Sequence, residues 1–212
     1  MIGSGKIIPI VLTGGPGAGK TEALAYLQKN LSSKALGVVV IPETASELIL
    51  AGLSPRNALA NADFQRAQLA LQLAREAIYA RAAEKRQEPQ ILLVMDRGAL
   101  DGNGFIDDKS FVQILKEQHL SQKDLLSRYA AVFHLTSAAR EQPDQYSLSN
   151  NQARAESIRQ AAKEDERLLK IYQDHPYRKI IPAYPKIEDK YRQLLQEIRI
   201  FLNQTKPPES SS

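Results

Sequence analysis

The feature that most constrains this chain is a glycine-rich octapeptide close to residue 20. It fits the pattern G-x-x-x-x-G-K-[ST] and follows an apolar run, Ile7 to Leu12. Glycines let a backbone curl so that successive N–H groups point at anionic oxygens, and a following helix adds the positive end of its dipole. A glycine turn that merely precedes a helix would not need the whole pattern. The octapeptide therefore predicts a nucleoside triphosphate site formed by Gly14, Gly15, Pro16, Gly17, Ala18, Gly19, Lys20 and Thr21.

Two side chains of the octapeptide have expected chemical roles. Lys20 is expected to reach the β- and γ-phosphates, and the Thr21 hydroxyl is expected to ligate Mg²⁺. No Asn-Lys-x-Asp motif, which reads guanine, follows the predicted fourth strand, where Leu135-Thr136-Ser137-Ala138 stands instead. The expected ligands are therefore ATP, in preference to GTP, and Mg²⁺.

Composition narrows the class of protein. The 212 residues fit one domain, taken as residues 1–203 with a disordered tail at 204–212. The net charge of +4 is spread along the chain without a dense basic tract, which disfavours nucleic acid as a partner. The lack of cysteine excludes disulfides, thiolate zinc sites and cysteine nucleophiles. No window approaches the ~18 apolar residues of a membrane span, and the first twelve residues are predicted to form a strand, so a cytoplasmic protein is expected.

Short β-rich runs alternate with helical segments, which predicts an α/β domain with a parallel sheet. The expected architecture is that of a P-loop nucleoside or nucleotide kinase, with about five strands sandwiched by helices. The predicted strands cover residues 10–13, 36–41, 91–95, 131–135 and 177–181, and the predicted helices cover 20–30, 46–50, 63–87, 109–118, 121–129, 151–173 and 187–202.

Three finer expectations accompany these elements. Pro9 cannot donate to a ladder, so strand pairing is expected to begin after it. The last helix should bury one apolar face, made of Tyr191, Leu194, Leu195, Ile198 and Phe201. The long helix over 63–87 should bury a stripe made of Phe64, Ala67, Leu71, Ala74, Ile78 and Ala82.

Polar side chains follow the second and third predicted strands. Asp96 ends an apolar strand at the position of an acid that holds Mg²⁺, although a turn cap is the alternative. Arg97 is expected either to clamp a phosphate or to form a surface ion pair. Glu43 is expected to orient an acceptor hydroxyl or take its proton, the alternative being an acid that stabilises a helix dipole. Ligands of open parallel sheets bind beyond the carboxyl ends of strands, so these residues and the octapeptide should converge.

The polar segment over residues 137–160 is predicted to form a lid. It carries Arg140, Arg154 and Arg159, and basic lids neutralise charge and exclude water in phosphoryl transfer. A solvated helix face with i, i+4 pairs is the alternative. Arg154, with Arg140 as a nucleotide contact, is expected to close over the reaction. The three histidines are not spaced as metal ligands and are expected to be structural: His119, His134 and His175.

Taken together, these residues resemble the P-loop ATPase/kinase family related to the ribosylnicotinamide kinase module of the bacterial NAD regulator, an AAA-type ATPase domain. The resemblance covers most of residues 7 to 183 and implies a kinase-like fold that uses ATP. The run that carries it after the fourth strand is Thr136-Ser137-Ala138-Ala139, Tyr146 to Asn151, Arg154, Glu156, Ala161, Asp165 and His175-Pro176. The matching front half is the octapeptide, Pro42-Glu43-Thr44-Ala45 and Asp96-Arg97-Gly98.

The predicted function is transfer of the ATP γ-phosphoryl group to a small hydroxyl-bearing acceptor such as a nucleoside. In this hypothesis Lys20, Glu43, Asp96, Arg97 and Arg154 carry the chemistry, while Thr21 and Asp96 hold the metal. The alternative is a nucleotide-dependent switch or slow NTPase that acts through a protein partner. The acceptor and the oligomeric state stay open.

Overall fold

The computed structural model describes residues 5–55, 59–141 and 158–205. Their centre is a five-stranded sheet in which every neighbouring pair is parallel and the order is β2-β3-β1-β4-β5. The expected α/β architecture is confirmed. The strands are β1 Ile7–Thr13, β2 Leu36–Ile41, β3 Gln90–Asp96, β4 Ala131–Leu135 and β5 Arg178–Ile181.

Helices connect the strands and cover both faces of the sheet. The longest is α3, which precedes β3, and α8 comes after the last strand. The helices are α1 Lys20–Leu31, α2 Thr44–Leu50, α3 Asn61–Glu84, α4 Asp108–Glu117, α5 Gln122–Leu126, α6 Ala138–Glu141, α7 Ile158–Ile171 and α8 Ile187–Gln204, with a 3₁₀ turn at Asp101–Gly104. In the described ranges, none of these helices has the length and apolar character to cross a bilayer.

The boundaries differ from the predicted ones in a few places. The helix predicted over 121–129 is only Gln122–Leu126, and the one predicted over 151–173 is described from Ile158. Because α8 continues through Gln204, the predicted domain limit at residue 203 falls one residue inside that helix. Residues 206–212, where the tail was expected, lie outside the described residues, so the tail stays a prediction.

The expectation that pairing begins after Pro9 is wrong. Strand β1 already pairs with β3 at Ile7, and Pro9 lies opposite Leu93. The Pro9 carbonyl accepts a hydrogen bond from Ala130 N at 2.7 Å, on the side where β4 lies. A residue's N–H and C=O point to the same side of a strand, so the missing N–H also faces β4. The β1–β4 ladder starts only at Ile10, so the proline removes no ladder bond.

Residues of the central strand alternate between two apolar cores. Ile7 and Val11 face the core shared with α3, α4 and α7, whereas Ile10 and Leu12 face the core shared with α1 and α8. This period of two is expected for a sheet covered on both faces. The apolar face predicted for α8 is confirmed, because all five of its predicted residues are buried.

The stripe predicted for α3 is wrong. Only Phe64 of that set is buried, and Ile78 is 62% exposed. The prediction followed the apolar residues, but half of the residues that α3 buries are polar. Its buried members are Phe64, Gln65, Gln68, Leu69, Gln72, Glu76, Ala80 and Ala83.

Candidate functional site

The octapeptide forms the turn between β1 and α1, and its glycines are required by its shape. Gly14, Gly17 and Gly19 have positive φ angles of 137°, 70° and 78°. L side chains rarely adopt such angles. A Cβ on Gly14 would also lie 2.1 Å from the carbonyl oxygen of Leu135, so the turn has no room for a side chain there. The backbone thus has the curled form that a phosphate-binding loop needs.

Lys20 folds back over this loop. Its Nζ donates to the carbonyl oxygens of Gly14 at 2.8 Å and Gly15 at 3.1 Å. Burial, followed by the charge of Arg97, lowers the pKa of Lys20 to about 8. An anionic ligand beside Nζ would favour the charged form of the lysine. The side chain is therefore placed where phosphate oxygens could replace its two carbonyl partners.

Arg97 is a buried residue and not the surface ion pair that the sequence left open. Its Nε donates to Glu43 Oε1 at 2.6 Å, and its Nη1 donates to the Gly14 carbonyl oxygen at 3.4 Å. Nη1 also lies 3.5 Å from Asp101 Oδ2, and the guanidinium stands 5.4 Å from the ring centre of Phe105. Burial alone would lower the pKa of Arg97, but Glu43 and Asp101 outweigh it and raise that pKa above its ordinary value.

The backbone at Arg97 is also unusual, because its φ is +71°. A left-handed non-glycine residue costs free energy and persists only where its surroundings fix it. Here the side-chain amide of Gln72 donates to the Arg97 carbonyl oxygen at 3.3 Å, and Arg97 N donates to the Leu12 carbonyl oxygen at 2.9 Å. The strained turn at the end of β3 aims the guanidinium at Glu43 and the phosphate loop.

Glu43 lies at the end of β2, in the N-cap position of α2, but its side chain does not cap that helix. Oε1 accepts from Arg97, and Oε2 accepts from Ser46 Oγ at 2.6 Å. The donors that hold the carboxylate therefore include Arg97 and Ser46. An ionised carboxylate accepts several hydrogen bonds at defined positions, so these donors fix its orientation.

Asp101 is a fully buried carboxylate that the sequence analysis did not single out. Oδ2 accepts from Thr13 Oγ1 at 2.8 Å, and Oδ1 accepts from Tyr172 Oη at 2.8 Å and from Gly98 N at 3.2 Å. Together with Arg97 Nη1, these donors tie the end of β1 to the end of β3 and to α7. Its position five residues after a strand-end acid gave no sequence signal, because all its partners but Gly98 and Arg97 are distant in the chain.

Three further residues support the phosphate loop from behind. Asp165 Oδ1 accepts from Gly15 N at 2.7 Å, and Ser137 Oγ donates to the Pro16 carbonyl oxygen. Lys190 Nζ donates to the carbonyl oxygens of Ala18 at 2.8 Å and Thr136 at 2.6 Å. The resemblance named Ser137 and Asp165 without a role, and Lys190 was missed altogether.

Asp96 ends β3, directly before Arg97, and is the candidate metal ligand. Its Oδ1 is buried and has no hydrogen-bond partner among the described residues. Burial, the largest influence, raises the pKa of Asp96. No group of three or more His, Cys, Asp or Glu residues in the described ranges could hold a metal by itself. The donor set fits Mg²⁺, which proteins bind through one or two side-chain oxygens together with substrate phosphates.

One cleft of about 1210 Å³ is lined by the loop from Pro16 to Thr21 and by Glu43, Asp96 and Arg97. One end is lined by the phosphate loop, including Thr21, and by Asp96. Glu43 and Arg97 also line the cleft, and Phe64, Gln65 and Gln68 form its α3 wall. Helix α7 adds two cations that the sequence analysis did not choose, Lys163 and Arg167.

The comparison with protein families identifies the family of this chain. A family model described as AAA domain matches residues 9–190, which is most of the chain. The chain belongs to the AAA domain family. A search of curated proteins found no match to this AAA domain. The finer likeness to the ribosylnicotinamide kinase module stays a prediction.

A solved structure shares the fold of this AAA domain. It is thymidylate kinase from Ehrlichia chaffeensis, with a TM-score of 0.59 and 13% sequence identity. The alignment covers 92% of this chain and 98% of that chain. At this level of identity the likeness concerns the fold, which is that of a P-loop kinase.

The segment predicted to form a lid, residues 137–160, is described only at its two ends, because residues 142–157 lie outside the described residues. Arg140 Nη2 donates to Glu141 Oε1 at 3.0 Å, and its Nε lies 3.5 Å from Asp165 Oδ2. Arg159 is exposed on α7, and Arg154 lies outside the described residues. A nucleotide contact for Arg140 and closure by Arg154 therefore stay predictions.

The histidines of the AAA domain have protein partners where they are buried. His134 Nε2 lies 3.1 Å from Asp165 Oδ1, and His175 Nε2 lies 3.0 Å from the Tyr129 carbonyl oxygen. His119 is exposed in the turn after α4, with a φ of +55°. These positions agree with structural roles.

Proposed function

We propose that this AAA domain is a kinase that transfers the γ-phosphoryl group of ATP to a hydroxyl group of a small acceptor such as a nucleoside. The observation that carries the proposal is the cleft that places the phosphate loop beside the Glu43–Arg97 pair and the polar wall of α3. A site that only bound a nucleotide would not need a half-buried, oriented carboxylate beside the phosphate loop. The name of the structural neighbour, thymidylate kinase, agrees with a phosphoryl transfer fold.

At the phosphate end, the chain supplies positive charge and oriented donors. Lys20 exchanges its contacts with the carbonyl oxygens of Gly14 and Gly15 for phosphate oxygens. Thr21 and Asp96 would hold Mg²⁺, which neutralises charge on the phosphates when bound. The buried, unpartnered Oδ1 of Asp96 supports this assignment. Positioning and charge neutralisation supply most of the catalysis in this class of reaction.

At the acceptor end, Glu43 holds the attacking hydroxyl and accepts its proton. Arg97 fixes the direction of that carboxylate through the 2.6 Å bond between Nε and Oε1. Because Arg97 is buried with Glu43 and Asp101, it stays charged throughout and contributes positive potential between acceptor and phosphates.

The polar wall of α3 supports a planar acceptor with hydrogen-bonding groups. Its four buried polar residues divide into two pairs. Gln72 and Glu76 are bonded to each other at 3.0 Å and to further protein groups. Gln65 and Gln68 instead line the cleft beside Phe64, and Gln65 Oε1 is buried without a partner among the described residues. Glutamine side chains beside an aromatic ring suit a nucleoside base.

A nucleotide-dependent switch or slow NTPase is the second candidate. The observation that favours it is apolar surface at the end of α2, beside the cleft, where Leu50 is 88% exposed and Leu53 is 41% exposed. Such a surface suits a protein partner whose binding responds to the γ-phosphate.

The test is ADP release from MgATP by the purified protein, measured with a panel of nucleosides that includes nicotinamide riboside. We expect one acceptor class to stimulate release, and we expect Lys20→Ala and Glu43→Gln to lose the stimulation. Lys29→Ala, an exposed lysine in the last turn of α1, is the matched control and should behave as wild type. Slow hydrolysis that no acceptor changes, despite tight ATP binding, would exclude the kinase and favour the switch.

A further inference from the structure

Lys190 is an unusual residue behind the phosphate loop. It comes from α8 and is only 2% exposed, although lysine is rarely buried without an ionic partner. Among the described residues, no carboxylate lies within salt-bridge distance of it. Its ammonium group instead donates to two backbone oxygens, those of Ala18 and Thr136. Burying a charge has a large desolvation cost, so the two hydrogen bonds of Lys190 are expected to have a specific role in the loop.

The geometry of the peptide unit says what Lys190 holds. The peptide bonds of the loop are trans, so the C=O of one residue and the N–H of the next point to opposite sides of the peptide plane. Lys190 draws the Ala18 oxygen backwards, towards α8. The Gly19 N–H of the same peptide unit must then point forwards, into the loop. Gly19 lines the cleft, where the phosphates are expected.

The neighbouring peptide units obey the same rule. Ser137 Oγ donates to the Pro16 oxygen from behind, so the Gly17 N–H points forwards. Asp165 binds the Gly15 N–H from behind, so the Gly14 oxygen points forwards, and there it meets Lys20 Nζ at 2.8 Å. The Gly14–Gly15 peptide unit supports this geometry directly, because its forward-pointing carbonyl oxygen is hydrogen-bonded to Lys20 Nζ.

We infer that Lys190 and Ser137 are positioning residues for phosphate binding: from behind the loop they aim the Gly19 and Gly17 N–H groups at the phosphates of the nucleotide. Lys190 adds a second effect, because a cation on a peptide oxygen polarises the unit and strengthens its N–H as a donor. The inference rests on the proposed function only in that the loop must bind phosphates. It makes no use of the acceptor.

The test compares Lys190→Met, which keeps the aliphatic stem, with Lys190→Arg, which keeps the charge. A charge-assisted hydrogen bond contributes enough that we expect Lys190→Met to raise the Kd for MgATP about tenfold or more. Lys190→Arg should stay closer to wild type. Lys116→Met, which changes an exposed lysine of α4, is the matched control and should leave the Kd unchanged.

An NMR measurement separates positioning from a general loss of structure. Protein labelled with carbonyl-¹³C alanine and ¹⁵N glycine gives selective amide signals for the two Ala-Gly steps, at Gly19 and Gly52. In Lys190→Met we expect the Gly19 amide proton to move upfield, because its peptide unit is no longer polarised, while Gly52 stays in place. An unchanged Gly19 signal together with a Kd within about twofold of wild type would overturn the inference.

Two further outcomes are also decisive. If Lys190→Met does not fold, Ser137→Ala tests the same mechanism at Gly17, which is the only glycine that follows a proline and can be labelled in the same way. An unmoved Gly17 signal with unchanged MgATP affinity would then overturn the inference. If wild-type protein binds no MgATP, the proposed function fails, and the Gly19 signal of ligand-free Lys190→Met still decides whether the peptide unit is aimed by Lys190.

Discussion

Helices α8 and α3 cover opposite faces of the same sheet, but they bury different chemistry. The buried face of α8 is apolar apart from Lys190, and it packs with α1 into one core. The buried face of α3 contains Gln65, Gln68, Gln72 and Glu76 among its apolar residues. Buried polar groups are costly unless something satisfies them. The difference indicates that the α8 face mainly stabilises the fold. On α3, the half with Gln72 and Glu76 contributes to stability, and the half with Gln65 and Gln68 forms the wall of the cleft.

The largest expected effect is on the stability of the α8 face. Leu194 is fully buried in that face, so Leu194→Ala should lower the free energy of unfolding by about 3 kcal/mol through lost burial and a residual cavity. Chemical denaturation measures this change. The matched control is Ile78→Ala on α3, where the side chain is 62% exposed. Its free energy of unfolding should fall by about 0.5 kcal/mol or less, as is usual for surface substitutions. Equal losses of stability at Leu194 and Ile78 would contradict the difference proposed between the two helices.

A smaller effect, of a different kind, is expected on the α3 face. Gln65→Leu should lower kcat/KM for the acceptor about tenfold while leaving stability unchanged or slightly raised, because it removes an unpartnered buried oxygen. Steady-state kinetics with the acceptor found in the panel, together with thermal unfolding, measure both quantities. The prediction fails if stability falls and the kinetics do not change.

Gln72→Leu is the control for that prediction. Gln72 accepts from Thr44 Oγ1 at 3.2 Å and donates to Glu76 Oε1 at 3.0 Å, both in the protein interior. Gln72→Leu removes a hydrogen-bond partner from Thr44 Oγ1, from Glu76 Oε1 and from the Arg97 carbonyl oxygen, so we expect a loss of about 1–3 kcal/mol in stability. Substitution of Gln65 would then lower kcat/KM without a loss of stability, whereas substitution of Gln72, two helical turns away, would lower stability.

The smallest expected effect concerns pH and Lys190. Burial lowers the pKa of Lys190 from 10.5 to about 8, so between these values the folded chain binds fewer protons than the unfolded chain. Stability rises with pH wherever the unfolded state binds more protons. Lys190 should therefore add about 1 kcal/mol to the free energy of unfolding between pH 8 and 9, and Lys190→Met should lack that increment. Parallel pH profiles for the two proteins would contradict the prediction.

Local pattern predicted much of the fold. The strands at β2 and β4, the phosphate loop and the buried face of α8 follow directly from short-range signals: apolar runs, a glycine pattern and a helical period. The convergence of Glu43, Asp96 and Arg97 followed from strand order, since their strands end at one edge of the sheet. These are cases in which neighbours in sequence, or a simple rule of topology, determine the outcome.

The remaining features depend on contacts between distant residues. The buried face of α3 could not be found from hydrophobic periodicity, because Gln72 and Glu76 are buried by virtue of partners such as Thr44 and Tyr129. Lys190 has no pattern that distinguishes it from an exposed helix lysine. The prediction for Pro9 was wrong because the effect of a missing N–H depends on where the β1–β4 ladder begins. That start is set by the strand pairing and cannot be read from the proline itself.

The sheet order has a consequence for how the chain folds during synthesis. Strand β1, which carries the phosphate loop, lies between β3 and β4, and neither neighbour is close to it in sequence. A growing chain therefore presents the glycine motif early, but that motif has no strand beside it until β3 has left the ribosome. Pairings over long sequence separations form slowly, because a large loop must close first. The segment of the site that is translated first is thus among the last to reach its final geometry.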